Sequence, residues 1–244
     1  MNPLEANLEK VQARIAAAAR RAQRDPADVT LVAVTKTQPP ELIQAAYDLG
    51  LRDFGENRVE EAEGKIERLP PEVTWHMIGH IQSRKATRVV PLFDTIHSVD
   101  SVKLARRLDR LGEDLPAPIQ VLLEFNVSGE TSKYGFAAGQ WDEAQAVPAA
   151  LIAEMEEIVA LPHLRVDGLM TMAPIVSDAE EARPVFFRLR KLRDALRAAL
   201  PQADWSQLSM GMTDDFEVAI EEGATLIRVG RAIFAPLIPA WRKS

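Results

Sequence analysis

Short apolar segments alternate with helical patterns along nearly the whole chain, and this alternation is the strongest constraint on its fold. The predicted strands are Thr30–Thr35, Arg52–Gly55, Thr74–Gly79, Phe93–Val99, Ile119–Asn126, Val166–Thr171, Gln207–Met210 and Leu226–Gly230. Segments with apolar residues at helical spacing lie between them, at 40–49, 57–68, 82–90, 101–112, 142–160, 179–200 and 213–222. Eight strands, each paired with a helix, predict an α/β fold of the (β/α)8 TIM-barrel type, and the main alternative is a doubly wound open sheet.

One further helix is predicted ahead of the first strand. Residues 4–24 carry apolar side chains at helical spacing from Leu4 to Ile15. No linker rich in glycine or serine divides the chain, so 1–244 is predicted to form a single domain. The longest break between predicted elements, 127–141, is either a lid over a site or a plain surface loop.

Strand parity predicts which polar side chains point into the barrel. In the segment TLIRVG, Leu226 and Arg228 share one face, and the opposite face is purely apolar. The purely apolar face is expected to meet the helices, so Arg228 points into the barrel. By the same reasoning, Leu122 and Glu124 in IQVLLEFN face inward. Polar groups therefore collect near the carboxyl ends of the strands, where barrel enzymes keep their chemistry.

Charge and composition exclude several classes of protein. The formal net charge of -7 and the pI near 5.3 argue against a general nucleic-acid binder, which needs a basic face. Cysteine is absent, which excludes disulfides, thiol catalysis and cysteine metal sites. No signal-peptide pattern is visible and no run reaches the ~18 apolar residues of a membrane span, so a cytoplasmic protein without a membrane partner is expected. The acidic balance and the lack of an obvious apolar stripe favour a monomer.

The segment LVAVTKTQPP places a single lysine, Lys36, directly after the first apolar strand. At the carboxyl end of that strand, Lys36 would lie at the mouth of a barrel. Apolar neighbours favour the neutral amine, which is the form that attacks an aldehyde. The alternative is an ordinary amphipathic side chain whose ammonium group reaches solvent, and the residue alone favours this alternative.

Two glycine-containing turns follow the last two predicted strands. Ser209 and Gly211 lie in LSMGMTDDF, and Gly230 ends IRVG, each before a predicted helix. Loops after strands 7 and 8 of a barrel often bind phosphate through backbone N–H groups and helix N-termini, and the hydroxyl of Ser209 would donate one more bond. One glycine turn alone is simply a tight loop, whereas two at these positions predict a phosphate site. The chain contains neither a Walker loop nor G-x-G-x-x-G.

Asn57 and two histidines are further polar candidates. Asn57 in DFGENRVEE either binds a ligand at the mouth or caps the helix that follows. His76 and His80 lie four residues apart on an extended strand, ~13 Å from each other, which is too far to share a metal ion. His76 is therefore predicted to be a hydrogen-bonded interior histidine, and no metal site is predicted.

Seven collinear segments between about residue 30 and residue 235 resemble one known family. They are AVTKTQP, DFGENRVEE, WHMIGHIQSRK, SKYGF, GLMTM, LSMGMTDDFEVAI and IRVGRAIF. Together they make the chain similar to the YggS/PROSC family, the pyridoxal phosphate homeostasis proteins. The resemblance implies a TIM barrel similar to the N-terminal domain of alanine racemase, with pyridoxal 5'-phosphate (PLP) as the cofactor.

The resemblance also implies a role for each residue that matches these motifs. Lys36 would hold PLP as an internal aldimine, and Asn57 would lie near the cofactor ring. Arg228 would lie beside the pyridine nitrogen, in agreement with strand parity. The family's usual IFG is replaced by IFAP, so Pro236 is expected to alter the last helix. The phosphate would be held by the two glycine turns, at Ser209, Met210, Gly211, Gly230 and Arg231.

A protein that stores PLP and hands it to apo-enzymes, without robust catalysis of its own, is the function that the resemblance implies. An arginine beside the ring nitrogen favours an unprotonated pyridine, which weakens the ring as an electron sink. Alanine racemases add a C-terminal β-domain and a tyrosine base, and the present chain, which ends at Ser244, is expected to lack both. The alternatives are an amino-acid racemase of weak or narrow specificity and a barrel that binds a plain sugar phosphate.

Overall fold

The strands form a closed parallel barrel in the computed structural model, which describes residues 2–139, 141 and 147–235. The hydrogen-bonded order is β4-β3-β2-β1-β9-β8-β7-β5, and β4 also pairs with β5, which closes a ring of eight. The two-residue β6 extends β5 outside this ring. The strands are β1 (Thr30–Val34), β2 (Asp53–Glu56), β3 (Thr74–Met77), β4 (Thr95–Val99), β5 (Ile119–Asn126), β6 (Phe136–Ala137), β7 (Leu164–Met170), β8 (Gln207–Ser209) and β9 (Leu226–Val229).

Helices surround the barrel and connect its successive strands. Among the described residues they are α1 (Pro3–Arg21), α2 (Pro40–Asp48), α3 (Val59–Ile66), α4 (Ala86–Val89), α5 (Val102–Gly112), α6 (Ala149–Val159), α7 (Arg183–Ala199), α8 (Phe216–Glu221) and α9 (Arg231–Phe234), with 3-10 helices at Pro26–Asp28, Ser83–Lys85 and Ala179–Ala182. The predicted TIM barrel with an extra N-terminal helix is confirmed. The open-sheet alternative is wrong, because the β4–β5 pairing leaves the ring without an edge.

Most strands and helices of the structure are shorter than the sequence predicts. Five predicted strands run past the last strand residue. At three of these ends, Thr35, Ile78 and Thr171 are buried, and each still donates a backbone hydrogen bond to a neighbouring strand. Burial at these positions extends the apolar pattern beyond the last strand residue.

The predicted helix limits also shift. The helix predicted at 213–222 begins at Phe216, because the chain first makes a turn at Met212–Asp215. The helix predicted at 142–160 is described from Ala149, with Pro148 as its N-cap residue. The predicted helical residues 142–146 and the effect predicted for Pro236 lie outside the described residues.

Two separate apolar clusters show that the parity prediction is confirmed. A small cluster inside the barrel consists of Val32, Leu122, Met170 and Leu226. The opposite strand faces join a much larger cluster between the sheet and the helices, which includes Ile227 and Val229. Arg228, two residues from Leu226, therefore points into the barrel together with the inner cluster.

The N-terminal helix α1 packs against α8 and α9, the last two described helices. Its N-terminus is a capping box, in which Asn2 Oδ1 accepts from the backbone of Leu4 and Glu5 accepts from the backbone of Asn2. Asn7 donates to the backbone oxygen of Ile233 at 3.0 Å, which ties α1 to α9. The buried side of α1 is formed by Leu4, Leu8, Val11, Ile15, Ala18 and Ala19.

The described part of the loop predicted at 127–141 contacts the mouth of the barrel through Lys133 and Tyr134. Lys133 Nζ donates to the backbone oxygen of Met172 at 2.9 Å. The ring of Tyr134 stacks on His80, with the two centroids 3.8 Å apart. These contacts tie the loop to the ends of β7 and β3, so it is more than a surface excursion. None of the helices in the described part of the chain has the length and apolar character that crossing a bilayer requires.

Candidate functional site

A cavity of about 530 Å³ lies at the carboxyl ends of β1 and β9 and beside the turn after β8. Small-molecule sites typically occupy about 300–1,000 Å³, so this cavity has room for a ligand of that class. One side is apolar and comes from Val34 and from the loop at 174–179. The polar side is formed by Lys36, Thr213, Asp214, Asp215, Arg228, Gly230 and Arg231.

Lys36 reaches the cavity from a strained turn. It is exposed, and the next residue, Thr37, has a left-handed backbone with φ of 65°, which is unusual for a β-branched side chain. The N–H of Thr37 donates to Glu61 Oε2 at 3.1 Å, which helps to maintain this turn. No described carboxylate forms an ion pair with Lys36. The structure thus agrees with a solvent-reaching lysine and not with one enclosed by apolar groups, and its amine is accessible from the cavity.

A buried charged cluster supports the backbone directly before Lys36. Lys65 Nζ donates to the backbone oxygen of Thr35 at 2.8 Å and to Glu56 Oε1 at 2.7 Å. The hydroxyl of Thr35 donates to the same carboxylate oxygen at 2.6 Å. Burial raises the pKa of Glu56, while the hydrogen bonds from Lys65 and Thr35 act in the opposite direction. Because these bonds end on Thr35, the cluster holds the end of β1 from which Lys36 projects.

The sequence interpretation missed this cluster, although a signal for it exists. Parity places Glu56 on the outer face of β2 together with Phe54, and both side chains are fully buried. A carboxylate on a face that packs against helices needs a cation, and Lys65 on α3 supplies it.

Arg228 is the buried cation of the site. Its Nη1 donates to Ser209 Oγ, and its Nη2 donates to the backbone oxygen of Thr171 at 2.9 Å. Burial lowers the pKa of Arg228 to about 10, while the charges of Glu124 and Asp215 act to raise it. A pKa near this value leaves the guanidinium charged at neutral pH. It therefore supplies a fixed positive charge to the floor of the cavity.

The turn after β8 contributes different residues from those predicted. Ser209 and Met210 are fully buried, and the hydroxyl of Ser209 is engaged by Arg228 and by His97. Gly211 has φ of 91°, and an added Cβ would lie 2.5 Å from the Cβ of Ala219, so this glycine is required for close packing of the turn. The hydroxyl of Ser209 thus has partners inside the barrel, and its predicted contact to a phosphate stays a prediction. The cavity wall instead comes from the next residues, Met212 to Asp215.

The turn after β9 lies where it was predicted. Gly230 and Arg231 both line the cavity. Gly230 is the N-cap residue of α9 and makes no side-chain cap bond, and the first N–H groups of a helix have no partner within it. The amides of this turn are therefore available to an anion, as the sequence predicts.

Two carboxylates partly compensate the positive charge of the cavity. Asp214 forms an exposed ion pair with Arg231. Asp215 accepts from the backbone of Met212 at 2.6 Å, and burial raises its pKa. Three cationic side chains thus face two carboxylates, and one of the carboxylates is already committed to the protein backbone.

Asn57 lies directly after β2, at the carboxyl ends of the strands, so the structure contradicts its predicted helix cap but not its predicted place at the mouth. The N-cap residue of α3 is Arg58, so Asn57 does not cap the helix. Its side chain lines a second cavity of about 540 Å³, which lies beside α3 and includes His80 and Lys85. Its Oδ1 is buried without a hydrogen-bond partner. Asn57 is therefore a neighbour of the Lys36 cavity rather than part of its lining.

His76 is an interior histidine, as predicted. It contacts His97 at 2.9 Å through Nδ1 and Asp53 at 3.0 Å through Nε2. The sequence interpretation passed over His97, because a single histidine in the apolar strand TIHSV gives little signal. Among the described residues, no cluster of three or more His, Asp or Glu side chains is arranged to hold a metal ion.

Glu124 lies on the inner face of β5, in agreement with parity. The residue is 3% exposed. Burial and the charge of Asp100 raise its pKa from 4.5 to about 7, and Arg228 acts in the opposite direction. Glu124 is therefore a carboxyl group that changes charge near neutral pH beside the buried arginine.

Glu124→Gln is expected to stabilise the protein above pH 7 and to have little effect near pH 4. The pKa of this carboxyl is higher in the folded chain, so unfolding releases a proton between these pH values and the free energy of unfolding falls as pH rises. A pKa that moves from 4.5 to about 7 corresponds to about 3 kcal/mol at pH 8, a cost that glutamine avoids. Urea denaturation at both pH values measures the difference. Glu154→Gln, on the exposed side of α6, is the control, and equal effects of the two variants at pH 8 would contradict the assignment.

The chain matches a family whose description is "Alanine racemase, N-terminal domain", over residues 6–236. A curated relative from Pseudomonas aeruginosa, described as a pyridoxal phosphate homeostasis protein, is 43% identical over 238 residues, which are 96% of each chain. This identity extends over nearly the full length of both proteins.

Solved structures give the same relationship. PipY of Synechococcus elongatus PCC7942, described as having PLP bound, aligns with a TM-score of 0.78 and 38% identity. The alignment covers 92% of the present chain and all of PipY. An alanine racemase of Clostridium difficile 630 aligns with a TM-score of 0.68 and 11% identity over 96% of this chain and 56% of its own, which shows a shared fold alone.

Proposed function

Because this chain belongs to the pyridoxal phosphate homeostasis proteins, within the alanine racemase N-terminal domain family, we propose that it binds PLP at the mouth of its barrel and acts in PLP homeostasis. The observation that supports this most directly is one cavity in which an accessible amine, Lys36, and a buried guanidinium, Arg228, both form part of the wall. The proposed role is to hold the cofactor covalently and to pass it to apo-enzymes.

The residues present fit the three polar parts of PLP. The aldehyde of PLP supplies an electrophile that condenses with a neutral amine with loss of water, and Lys36 is the lysine of this cavity. Arg228 would lie against the ring nitrogen, and the amides of the Gly230–Arg231 turn would bind the phosphate. The turn at Met212–Asp215 lines the cavity, and the phosphate contacts predicted for Ser209, Met210 and Gly211 stay predictions.

The charge of Arg228 supports a carrier rather than a strong catalyst. With a pKa of about 10, its guanidinium keeps its protons at neutral pH and donates to the groups around it. A donor of this kind opposite the ring nitrogen favours the unprotonated ring, which draws less electron density from a bound amino acid. The protein would then hold the cofactor without driving Cα–H cleavage.

The solvent accessibility of Lys36 is consistent with a protein that transfers its cofactor to other proteins. The side chain is exposed, and the apolar Ile175 beside the same cavity is fully exposed as well. An apo-enzyme or its free lysine could therefore approach the bound group from solvent. The identity of such recipients, a monomeric state and a cytoplasmic location stay predictions, of which the monomer is checked by light scattering on the purified protein.

Reduction with borohydride tests the proposal. The purified protein loaded with PLP is expected to show an absorbance band near the visible range that borohydride removes, because reduction turns the linkage into a stable amine. Peptide mapping should then find the added mass on Lys36. A protein that binds PLP without such a band, or that carries the mass on another lysine, would contradict this proposal and favour a barrel for a plain phosphate ester.

A second experiment separates the carrier from an amino-acid racemase. The loaded protein is incubated with single L-amino acids in deuterated water, and exchange at Cα is followed by NMR. The carrier is expected to give no exchange above that of free PLP. Rapid exchange or accumulation of the D-isomer would establish the racemase instead.

A further inference from the structure

A continuous chain of hydrogen bonds crosses the interior of the barrel from Arg228 to Asp53. Arg228 Nη1 donates to Ser209 Oγ, which lies 2.8 Å from His97 Nδ1. His97 Nε2 lies 2.9 Å from His76 Nδ1, and His76 Nε2 lies 3.0 Å from Asp53 Oδ1. The contacts join five strands, β9, β8, β4, β3 and β2, which are distant from one another in the sequence.

The two ends of this chain face different environments. Ser209 and His97 are fully buried, and His76 and Arg228 are each 4% exposed. Arg228 lines the cavity at the carboxyl end of the barrel. Asp53 is the first residue of β2, at the opposite end, and its side chain is 29% exposed. The chain therefore connects the proposed cofactor site to solvent on the far side of the barrel.

The donors and acceptors can be assigned from the two ends. An ionised Asp53 only accepts, so His76 must carry its proton on Nε2, and the Nδ1 of a neutral His76 then accepts. His97 therefore donates from Nε2, and its Nδ1 accepts a hydrogen bond from the hydroxyl of Ser209. The oxygen of Ser209 is thereby turned toward the guanidinium of Arg228. Every group is satisfied in this arrangement, and both histidines are neutral.

The surroundings of His97 agree with the neutral state. Burial lowers its pKa well below the ordinary value, and the charge of Arg228 acts in the same direction. The carboxylates that face Arg228 are Glu124 on β5 and Asp215 before α8. A proton added to His76 would reverse the chain, because His76 Nδ1 would then donate and His97 would donate to Ser209 from Nδ1.

We propose that Ser209, His97, His76 and Asp53 are positioning residues that orient the guanidinium of Arg228 toward the ring of a bound vitamin B6 phosphate. This inference rests on the proposed function for the identity of the ligand. The chain of hydrogen bonds itself is present in the structure without a ligand. The physical basis is that a serine hydroxyl rotates freely unless its proton has a fixed acceptor, and His97 supplies that acceptor. Loss of the acceptor would leave Arg228 with one oriented bond, to the backbone of Thr171.

Nitrogen NMR of the histidine side chains tests the chain in the protein without ligand. At pH 7 both His76 and His97 are expected to be neutral with the proton on Nε2. A proton on Nδ1 of His97, or a cationic imidazolium at either residue, would overturn the donor assignment. Asp53→Asn is expected to change the tautomer equilibrium of His76 and, through it, that of His97, and an unchanged His97 spectrum would show that the chain is not coupled.

Binding of pyridoxine 5'-phosphate tests the effect on Arg228. This probe has the ring nitrogen and phosphate but no aldehyde, so Lys36 cannot attach to it. His97→Phe and Ser209→Ala are each expected to bind it about tenfold more weakly, because each variant loses part of the hydrogen bonding that orients the charged guanidinium. His97→Asn, whose Oδ1 can replace Nδ1 as acceptor, should recover most of that loss.

Two results would overturn the positioning role. In one, Ser209→Ala and His97→Phe lose thermal stability but bind the probe as wild type does, which is the behaviour of residues that only pack. In the other, His97→Asn binds as weakly as His97→Phe. If the wild-type protein binds neither the probe nor PLP while NMR confirms the tautomers, the proposed function fails and the hydrogen-bond chain stands.

Discussion

Lys36→Ala is expected to abolish every borohydride-stable attachment of PLP to this protein. Lys36 is the lysine in the wall of the proposed cofactor cavity, and no described side chain neutralises it. The variant should keep the phosphate and ring contacts, because Arg228 and the Gly230–Arg231 turn are untouched. PLP would then bind reversibly and at least about tenfold more weakly, with its absorbance at the position of the free aldehyde. Spectra and mass measurement after reduction follow both effects.

A second lysine near the mouth provides the matched control for this experiment. Lys85 lines the neighbouring cavity and pairs with Glu60 at 2.8 Å. Lys85→Ala is expected to retain the full adduct on Lys36. The assignment of the amine is wrong if Lys36→Ala still traps the cofactor or if the trapped mass disappears in Lys85→Ala.

Lys65→Met is expected to lower the free energy of unfolding by about 3–5 kcal/mol. The substitution removes the cation from a buried pair and leaves Glu56 without its partner, which is the costly way to break such a pair. The free-energy cost of the unpaired carboxylate is higher because the other oxygen of Glu56, Oε2, is also buried without a hydrogen bond. Thr35 also loses the donor to its backbone oxygen, so the end of β1 becomes less ordered. Urea denaturation measures the stability, and the rate of PLP attachment reports on Lys36.

Two further variants decide whether the loss comes from the unpaired charge. Adding Glu56→Gln to Lys65→Met removes the orphaned carboxylate and is expected to recover part of the stability. Lys85→Met breaks the partly exposed pair with Glu60 and should cost far less stability, because solvent screens an exposed ion pair. A similar cost for Lys65→Met and Lys85→Met, or no recovery in the double variant, would show that the Glu56–Lys65 pair does not support the site.

Several parts of the site could be predicted because they depend on local periodicity. Strand parity alone turned Arg228 and Glu124 inward, since alternate residues of a strand face opposite sides of a sheet. The position of Lys36 directly after β1 required only the end of an apolar strand. The turn at Gly230 was predicted from its place after the last strand, and the structure places it in the cavity wall.

Other parts could not be predicted because they depend on contacts between distant segments. His97 and Ser209 are 112 positions apart, and nothing in either segment indicates that their side chains meet. The hydroxyl of Ser209 was assigned to a phosphate because a serine in a turn is a common donor, but Arg228 and His97 engage it inside the barrel. Asn57 was expected to bind a ligand at the mouth or to cap a helix. It lies at the mouth but lines the cavity beside α3, and Arg58 is the N-cap residue of that helix.

The order of residues along the chain was therefore enough to establish the barrel, the inward faces of its strands and the strand ends that carry the lysine and the arginine. These properties follow from the twofold repeat of a strand and the 3.6-residue repeat of a helix, which are local. Folding in three dimensions selected the partners of each buried polar group: Glu56 with Lys65, and Arg228 with Ser209 and the two histidines. The physical reason is that a buried donor or acceptor must find a partner, and closure of the barrel sets which distant side chains are within reach.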